Sequence, residues 1–273
     1  MHKDHYALAD YHVHPDFSFD AQGTLAEHCE AARKRGIAEI CFTSHYDTNP
    51  VLSEKTRQIR VAGEMLPTTV ENFRHYVEAV AHIGAESPMV IKCGVEAGYY
   101  PGCEEEISRL FKTYRFDYKL GAVHEVGDFN ICNPNHFEDG HKELPLGSLL
   151  DRYFEVVDRA VESRLFDVIA HLDMYKWYGL KYYGEDLLTA HRGRIEPILE
   201  KMADYNIGIE INTAAVRKGH KEYYPSMDIV NLARAAGVRI AAIGSDAHKP
   251  DEIGYDFDGA MAIAYELFPY CNE

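Results

Sequence analysis

The sequence has no CxxC pair, a single tryptophan, a shortage of positive charge, and no apolar run near the roughly 20 residues that a membrane helix needs. Each absence narrows the function. The six cysteines (Cys29, Cys41, Cys93, Cys103, Cys132, Cys271) are scattered, and Cys41 and Cys93 sit inside apolar runs, which argues against a disulfide framework or a thiolate zinc site. With 28 Lys and Arg against 44 Asp and Glu, the formal net charge is −16. A nucleic-acid partner is therefore disfavoured, because gripping a phosphate backbone takes clustered basic residues. The start, MHKDHYALADYH, shows no apolar signal core, so the sequence reads as cytoplasmic with no membrane partner. There is no low-complexity segment and no internal repeat.

What the chain does have is a regular alternation of short β-branched or aromatic runs with longer helix-like stretches, the pattern of βα units and a parallel sheet. Strands are expected at 7–12, 38–44, 89–96, 117–124, 166–171, 207–213 and 238–246, seven in all and one short of the usual eight. Helices are expected to follow Thr24 and to span about 69–86, 103–114, 148–164, 185–205, 226–236 and 257–267. Thr24 with Glu27 forms a capping-box pattern and Gly36 supplies the stop, while Pro197 must start a new segment or kink the fifth helix. The insertions at 46–68, 125–146 and 172–184 follow strands and are expected to rim one face. A chain of 273 residues suits one α/β barrel domain spanning 1–273. An open doubly wound sheet is the alternative, and ligands coming from all seven strands favour closure.

Histidines and carboxylates close these apolar runs. His12 and His14 stand in DYHVHPDFSFD, His45 closes EICFTSH, Glu96 closes IKCGVE, His124 closes KLGAVH, His171 closes DVIAH, and Asp246 with His248 closes IAAIGSDAH. Alternate side chains of an extended strand face the same way, so His12 and His14 can grip one ion while Val13 points elsewhere. Neutral imidazole and carboxylate suit Zn²⁺, Mn²⁺ and Fe²⁺, and a closed parallel barrel gathers its strand ends on one face. A site for several divalent transition-metal ions is the leading reading.

In order and spacing, YHVHPDFSFD, FTSHYD, GVEAGYYPGCEEEI, FDYKLGAVH, VIAHLD, EINTAAVRKGHKEYYPS and IGSDAHKPDEIG resemble the polymerase and histidinol phosphatase (PHP) family, and within it the histidinol-phosphatase branch. The resemblance covers nearly the whole chain. It implies an α/β fold, a distorted seven-stranded (β/α)7 TIM-like barrel, with two to three metal ions (Zn, Mn or Fe) at the carboxyl-end face. Carried over by position, it assigns His12, His14, Glu96 and Asp246 to one ion. Glu96 bridges to a second ion held by His124 and His171, and Asp20, His45 and His248 hold the third. Asp20 competes with Asp16 of the same loop, and its alternative role is a helix-entry carboxylate ahead of Thr24.

The resemblance further implies a phosphomonoesterase acting on L-histidinol phosphate, with other small phosphate esters, phosphotyrosyl protein or phosphodiesters as alternatives. Glu96, Asp246 and His248 are the expected catalytic residues, and the leaving-group proton is open among Asp246, His248 and His14. Arg217 and Lys218, in the loop after the sixth strand, are expected to bind substrate phosphate, Arg217 through its planar fork; Lys176 in HLDMYKWYG is a second candidate. The segment EVGDFNICNPNHFEDGHKE departs from the family's aromatic-aspartate pattern after His124. His2, His5, His28, His75, His82, His136, His141, His191 and His220 have no partner at ligand spacing and read as surface or packing residues.

Overall fold

The structure is a computed structural model and describes residues 8–140 and 144–267. His2, His5, His141, Cys271 and the first residue of the expected strand 7–12 lie outside the described residues. Seven parallel strands form the sheet: β1 (Leu8–Val13), β2 (Ile37–Phe42), β3 (Val90–Gly98), β4 (Tyr118–Ala122), β5 (Val168–Ile169), β6 (Gly208–Asn212) and β7 (Ile240–Gly244). They pair in sequence order, and the short strand His45–Tyr46 adds to β3 with His45 opposite Glu96. The ring nearly closes between its ends, where Val13 bridges Ala247 and the His14 N–H donates to the Ala247 carbonyl at 2.8 Å. A barrel, not an open sheet, is the outcome.

Around it lie α1 (Leu25–Lys34), α2 (Val70–Glu86), α3 (Glu104–Thr113), α4 (Leu146–Ser163), α5 (Glu196–Asp204), α6 (Met227–Ala236) and α7 (Phe257–Leu267). The capping box of α1 forms as expected: the Thr24 hydroxyl accepts from the Glu27 N–H, and the Glu27 carboxylate accepts from the Thr24 N–H at 2.7 Å. Gly36 then takes a left-handed φ of +72°, which ends the helix at little steric cost. Pro197 sits in the first turn of α5, so the expected 185–205 helix splits into a 3-10 turn (Gly184–Leu188) and α5. No described helix is long and apolar enough to cross a membrane.

Parallel strands buried on both faces read as continuous apolar runs, and β6, GIEIN, is buried at all five positions. A small cluster of Cys41, Tyr118, Leu120, Ala122, Val168 and Ala170 fills the barrel, while a larger core packs strands against helices. The five described cysteines are free. The three insertions rim the carboxyl ends: a hairpin of Gln58–Val61 with Glu64–Pro67, a second hairpin of Glu125–Val126 with Phe129–Asn130 followed by a helix at Pro134–Gly140, and a helix at Lys176–Tyr183.

Several strands end earlier than the apolar runs predict. His171 has φ +27° and Asp246 φ +52°, so the chain has left extended geometry where these side chains emerge. His12 and Glu96, by contrast, lie within β1 and β3.

Candidate metal centre

His12, His14, His45, Glu96, His124, His171, Asp246 and His248, scattered over the sequence, converge at the mouth of the barrel. Three overlapping triads have donor atoms within 4.8 Å of one another: His12 with His14 and Asp246, His12 with Glu96 and His171, and His14 with His45 and His248. Glu96 is at the centre. One of its oxygens lies 2.8 Å from His171 Nε2 and 3.5 Å from His124 Nε2; the other lies 2.9 Å from His45 Nδ1, 3.4 Å from His14 Nε2 and 3.5 Å from His12 Nε2. Asp20 stands at the rim, 3.7 Å from His45 Nε2 and 3.5 Å from His248 Nε2, while Asp16 is not in the cavity wall.

The residues fit a group of cations. His12 Nε2, His14 Nε2, His45 Nδ1 and Glu96 Oε2 are buried with no hydrogen bond of acceptable geometry. Leaving such atoms unsatisfied costs free energy that ligation would remove. Neutral imidazole and carboxylate donors at these separations suit Zn²⁺, Mn²⁺ or Fe²⁺.

The donors also set one another's charge. Burial works against the charged form of Glu96 and Asp246, but the surrounding imidazoles, His12 first, hold both carboxyls well below the usual range. Burial likewise opposes protonation of His45, yet Glu96 and Asp20 push it up to about 9. His14 goes the other way: burial, then the neighbouring His45 and His248, hold it well below an ordinary imidazole. Its ring stacks on both at 4.2 Å between centroids.

A cavity of about 360 Å³ opens above this cluster. Phe19, Thr56, Met174, Pro134 and Trp177 line its outer wall, with Glu125, Asn130 and Asn133 from the segment after His124. Glu125 accepts hydrogen bonds from Asn49 and Asn130, and burial raises its pKa to about 7. Asp47 is a further buried carboxylate of the wall, 3.6 Å from His45 Nδ1 and 3.8 Å from His124 Nδ1.

Among the basic residues expected to meet substrate, only Lys218 lines the cavity, with its ammonium 3.4 Å from the centroid of the Trp177 ring. Arg217 does not line the cavity. Its guanidinium donates to the Ser245 carbonyl at 2.6 Å and the Asp246 carbonyl at 2.8 Å and lies 3.6 Å from Glu252, so its fork is occupied by protein and outside the cavity wall. Lys176 does not line it either; it is buried, donating to Asp173 at 2.7 Å and Ser226 at 2.8 Å, and lines a separate cavity with Leu180 and Tyr224. The remaining described histidines stay out of the cavity wall; His28 donates to the Thr24 carbonyl and His191 pairs with Asp228.

Besides Asp47, two residues next to the cluster escaped the sequence reading. Glu210 of β6 lies 2.9 Å from His12 Nδ1, and Asp10 of β1 accepts from the Ser245 N–H at 2.9 Å and its hydroxyl at 2.6 Å, beside Asp246. The signal for Glu210 is a carboxylate in an otherwise apolar, fully buried strand. Among the described residues the sixth strand contributes no member of the three triads, and candidate donors come from six strand ends where seven were expected.

The PHP domain model matches residues 10–214. Over 93% of the chain and 91% of the relative, the sequence is 31% identical to a probable histidinol-phosphatase of Deinococcus radiodurans. It is 26% identical to the histidinol-phosphatase of Lactococcus lactis over 88% of the chain and 83% of the relative. The fold superposes on the crystal structure of histidinol phosphate phosphatase from Lactococcus lactis complexed with zinc, L-histidinol and phosphate (TM-score 0.71, 21% identity, 96% of this chain and 94% of that one). It also superposes on a putative histidinol phosphatase from Listeria monocytogenes (TM-score 0.73, 20% identity, 92% of this chain and 99% of that one). With the PHP model matching most of its length and a relative named probable histidinol-phosphatase at 31% identity, the chain belongs to the PHP family, in the histidinol-phosphatase branch.

Proposed function

We propose that this protein is a metal-dependent phosphomonoesterase that hydrolyses L-histidinol phosphate to L-histidinol and phosphate in histidine biosynthesis, a cytoplasmic reaction on a small molecule. The observation that carries the reading is the placement of a mixed imidazole and carboxylate cluster directly beneath a cavity with one lysine, Lys218, in its wall. The relatives named histidinol-phosphatase support the same substrate.

In this reading His12, His14, Asp20, His45, Glu96, His124, His171, Asp246 and His248 hold two to three divalent ions, with Zn, Mn and Fe all compatible with the donor set. Such ions supply Lewis-acid polarisation of phosphoryl oxygens and activation of water at neutral pH. The chain supplies the rest. Ionised Glu96 and Asp246 and neutral His14 are already in the protonation states that ligation needs. Lys218 offers a cation for the non-transferring phosphate oxygens, and its contact with Trp177 directs the ammonium at the cavity edge. Phe19, Pro134 and Trp177 give the leaving group an apolar wall, and Glu125, Asn130 and Asn133 give it a polar one.

Phosphate release from histidinol phosphate, phosphotyrosine, p-nitrophenyl phosphate and a phosphodiester, each with Zn²⁺, Mn²⁺ and Fe²⁺, tests the proposal. Histidinol phosphate should rank first by kcat/KM. A higher kcat/KM for another ester would transfer the assignment to that substrate.

A further inference from the structure

We propose that Glu210 is a positioning residue that holds His12 with its proton on Nδ1, leaving Nε2 to ligate, and at the same time pins His171 in its left-handed conformation. The inference rests on the metal-centre reading and concerns how the centre is built.

Glu210 is 1% exposed, and among the described residues no lysine or arginine pairs with its carboxylate. Its Oε2 lies 2.9 Å and its Oε1 3.1 Å from His12 Nδ1. Oε1 also accepts from the His171 N–H at 2.9 Å and from the Asn212 side-chain amide at 3.0 Å. A carboxyl group that already accepts from the His171 N–H and the Asn212 amide faces His12 as an acceptor, so the imidazole nitrogen turned toward it carries the proton. The opposite nitrogen, Nε2, then presents its lone pair. It is buried without a hydrogen bond, 3.5 Å from Glu96 and 3.8 Å from Asp246.

The contact with His171 has a second consequence. A φ of +27° is costly for a residue with a side chain and persists only where neighbours over-determine it. The backbone N–H of that residue ends on Glu210. One carboxylate therefore fixes a ligand of β1 and a ligand beyond β5 from a strand between β5 and β7. Gly244 of β7 makes room: a Cβ there would collide with the Cβ of His12 and come within 2.9 Å of Glu210 Oε2. His12 and His171 share the triad with Glu96, and neither belongs to the triad of His14, His45 and His248. Loss of Glu210 should therefore empty the first before the second.

The experiment uses the full chain loaded with ¹¹³Cd²⁺ and titrated with Zn²⁺. In wild type, the cadmium coupling of His12 should appear at Nε2, with a slowly exchanging proton on Nδ1. Glu210→Gln places an amide donor against that proton and should weaken binding of the ion at His12, Glu96 and His171 about 10–100-fold, the usual effect of losing the hydrogen-bond partner of a metal-binding histidine. The ion at His14, His45 and His248 should persist, and kcat should fall more than KM rises. Coupling at His12 Nδ1 in wild type, which needs no variant, would overturn the proposal. So would Glu210→Gln binding every ion with wild-type affinity. Absence of metal binding by wild type would instead overturn the metal-centre reading itself.

Discussion

Six strand ends of this barrel bring imidazole or carboxylate groups to one cluster, from His12 at the first to Asp246 at the seventh, whereas among the described residues the sixth adds no member to the three triads. The sixth unit instead braces its neighbours. Glu210 on β6 takes the backbone N–H of His171, and Arg217, one turn beyond β6, takes the carbonyls of Ser245 and Asp246. His171 and Asp246 are the two candidate ligands with left-handed backbone, at φ +27° and +52°. The two strained candidates thus flank the unit that adds no member to the triads, and each is tied by a side chain from it. The geometry of these candidates is thus set partly by residues outside the triads, the role that hydrogen-bond partners of metal ligands play in metal centres.

The largest effect should come from the ligand side. Glu96→Ala removes the carboxylate on which five imidazoles converge, and leaves a group of buried imidazoles without their counter-charge. Losing one partner of a buried charge cluster costs roughly 3–5 kcal/mol. We expect kcat/KM to fall by about 10³-fold, with metal content reduced by at least one ion in plasma emission analysis. A variant with full metal content and activity would remove Glu96 from the centre of the site.

Next is a crossed pair in the sixth loop. Lys218→Ala should lower kcat/KM about 10–100-fold, as for loss of a charge-assisted contact worth about 1.5–3 kcal/mol, and weaken competitive inhibition by phosphate equally. Its metal content should not change. Arg217→Ala should do the reverse: the phosphate inhibition constant stays within about threefold while metal is lost more readily to a chelator, because Asp246 is no longer tied. If Arg217→Ala weakened phosphate and spared the metal, the guanidinium would belong to the ligand-binding side.

The pH dependence of stability separates the two regions further. In the metal-free protein His45 is raised from 6.5 to about 9, so its contribution to stability is complete below pH 6.5 and is lost as pH rises through 9. The chelated protein should therefore melt lower at pH 9.5 than at pH 6.5, by several degrees if the effect exceeds 1 kcal/mol, which corresponds to about 2–4 °C in a domain of this size. Metal-loaded protein should not show this fall, since ligation replaces the proton and favours higher pH. Equal slopes with and without zinc would show that His45 does not bind the ion.

How far the sequence reveals this arrangement depends on the direction of the information. The seven strands are visible because each buried run is apolar and punctuated, and His12 and His14 are visible because a strand has period two. Contacts around the ring are not visible in that way. Glu210 and His12 are 198 residues apart and meet only because closure puts β7, with Gly244, between their strands. The same holds for Arg217: a loop position predicts which face it joins, but not that its fork turns back onto the Ser245 and Asp246 carbonyls. Lys218, one residue on, has the exposed place at the cavity wall.

The smallest effect on catalysis should be at Lys176, where sequence alone points to substrate. In the structure its ammonium links Asp173, in the loop after β5, to Ser226 at the start of α6, and the same Asp173 oxygen accepts the Ser226 N–H at 3.0 Å. It ties the fifth loop to the sixth unit from behind the cavity wall. Lys176→Met should therefore leave KM and the phosphate inhibition constant within about twofold of wild type. Stability should suffer instead, by about 3–5 kcal/mol, because Asp173 is fully buried and left without its cation. Adding Asp173→Asn should recover part of that loss, since removing both charges relieves the uncompensated carboxylate. Denaturant titrations of the two variants give the stability change and steady-state kinetics gives KM. A KM rise above tenfold in Lys176→Met with unchanged stability would return this lysine to the substrate side of the comparison.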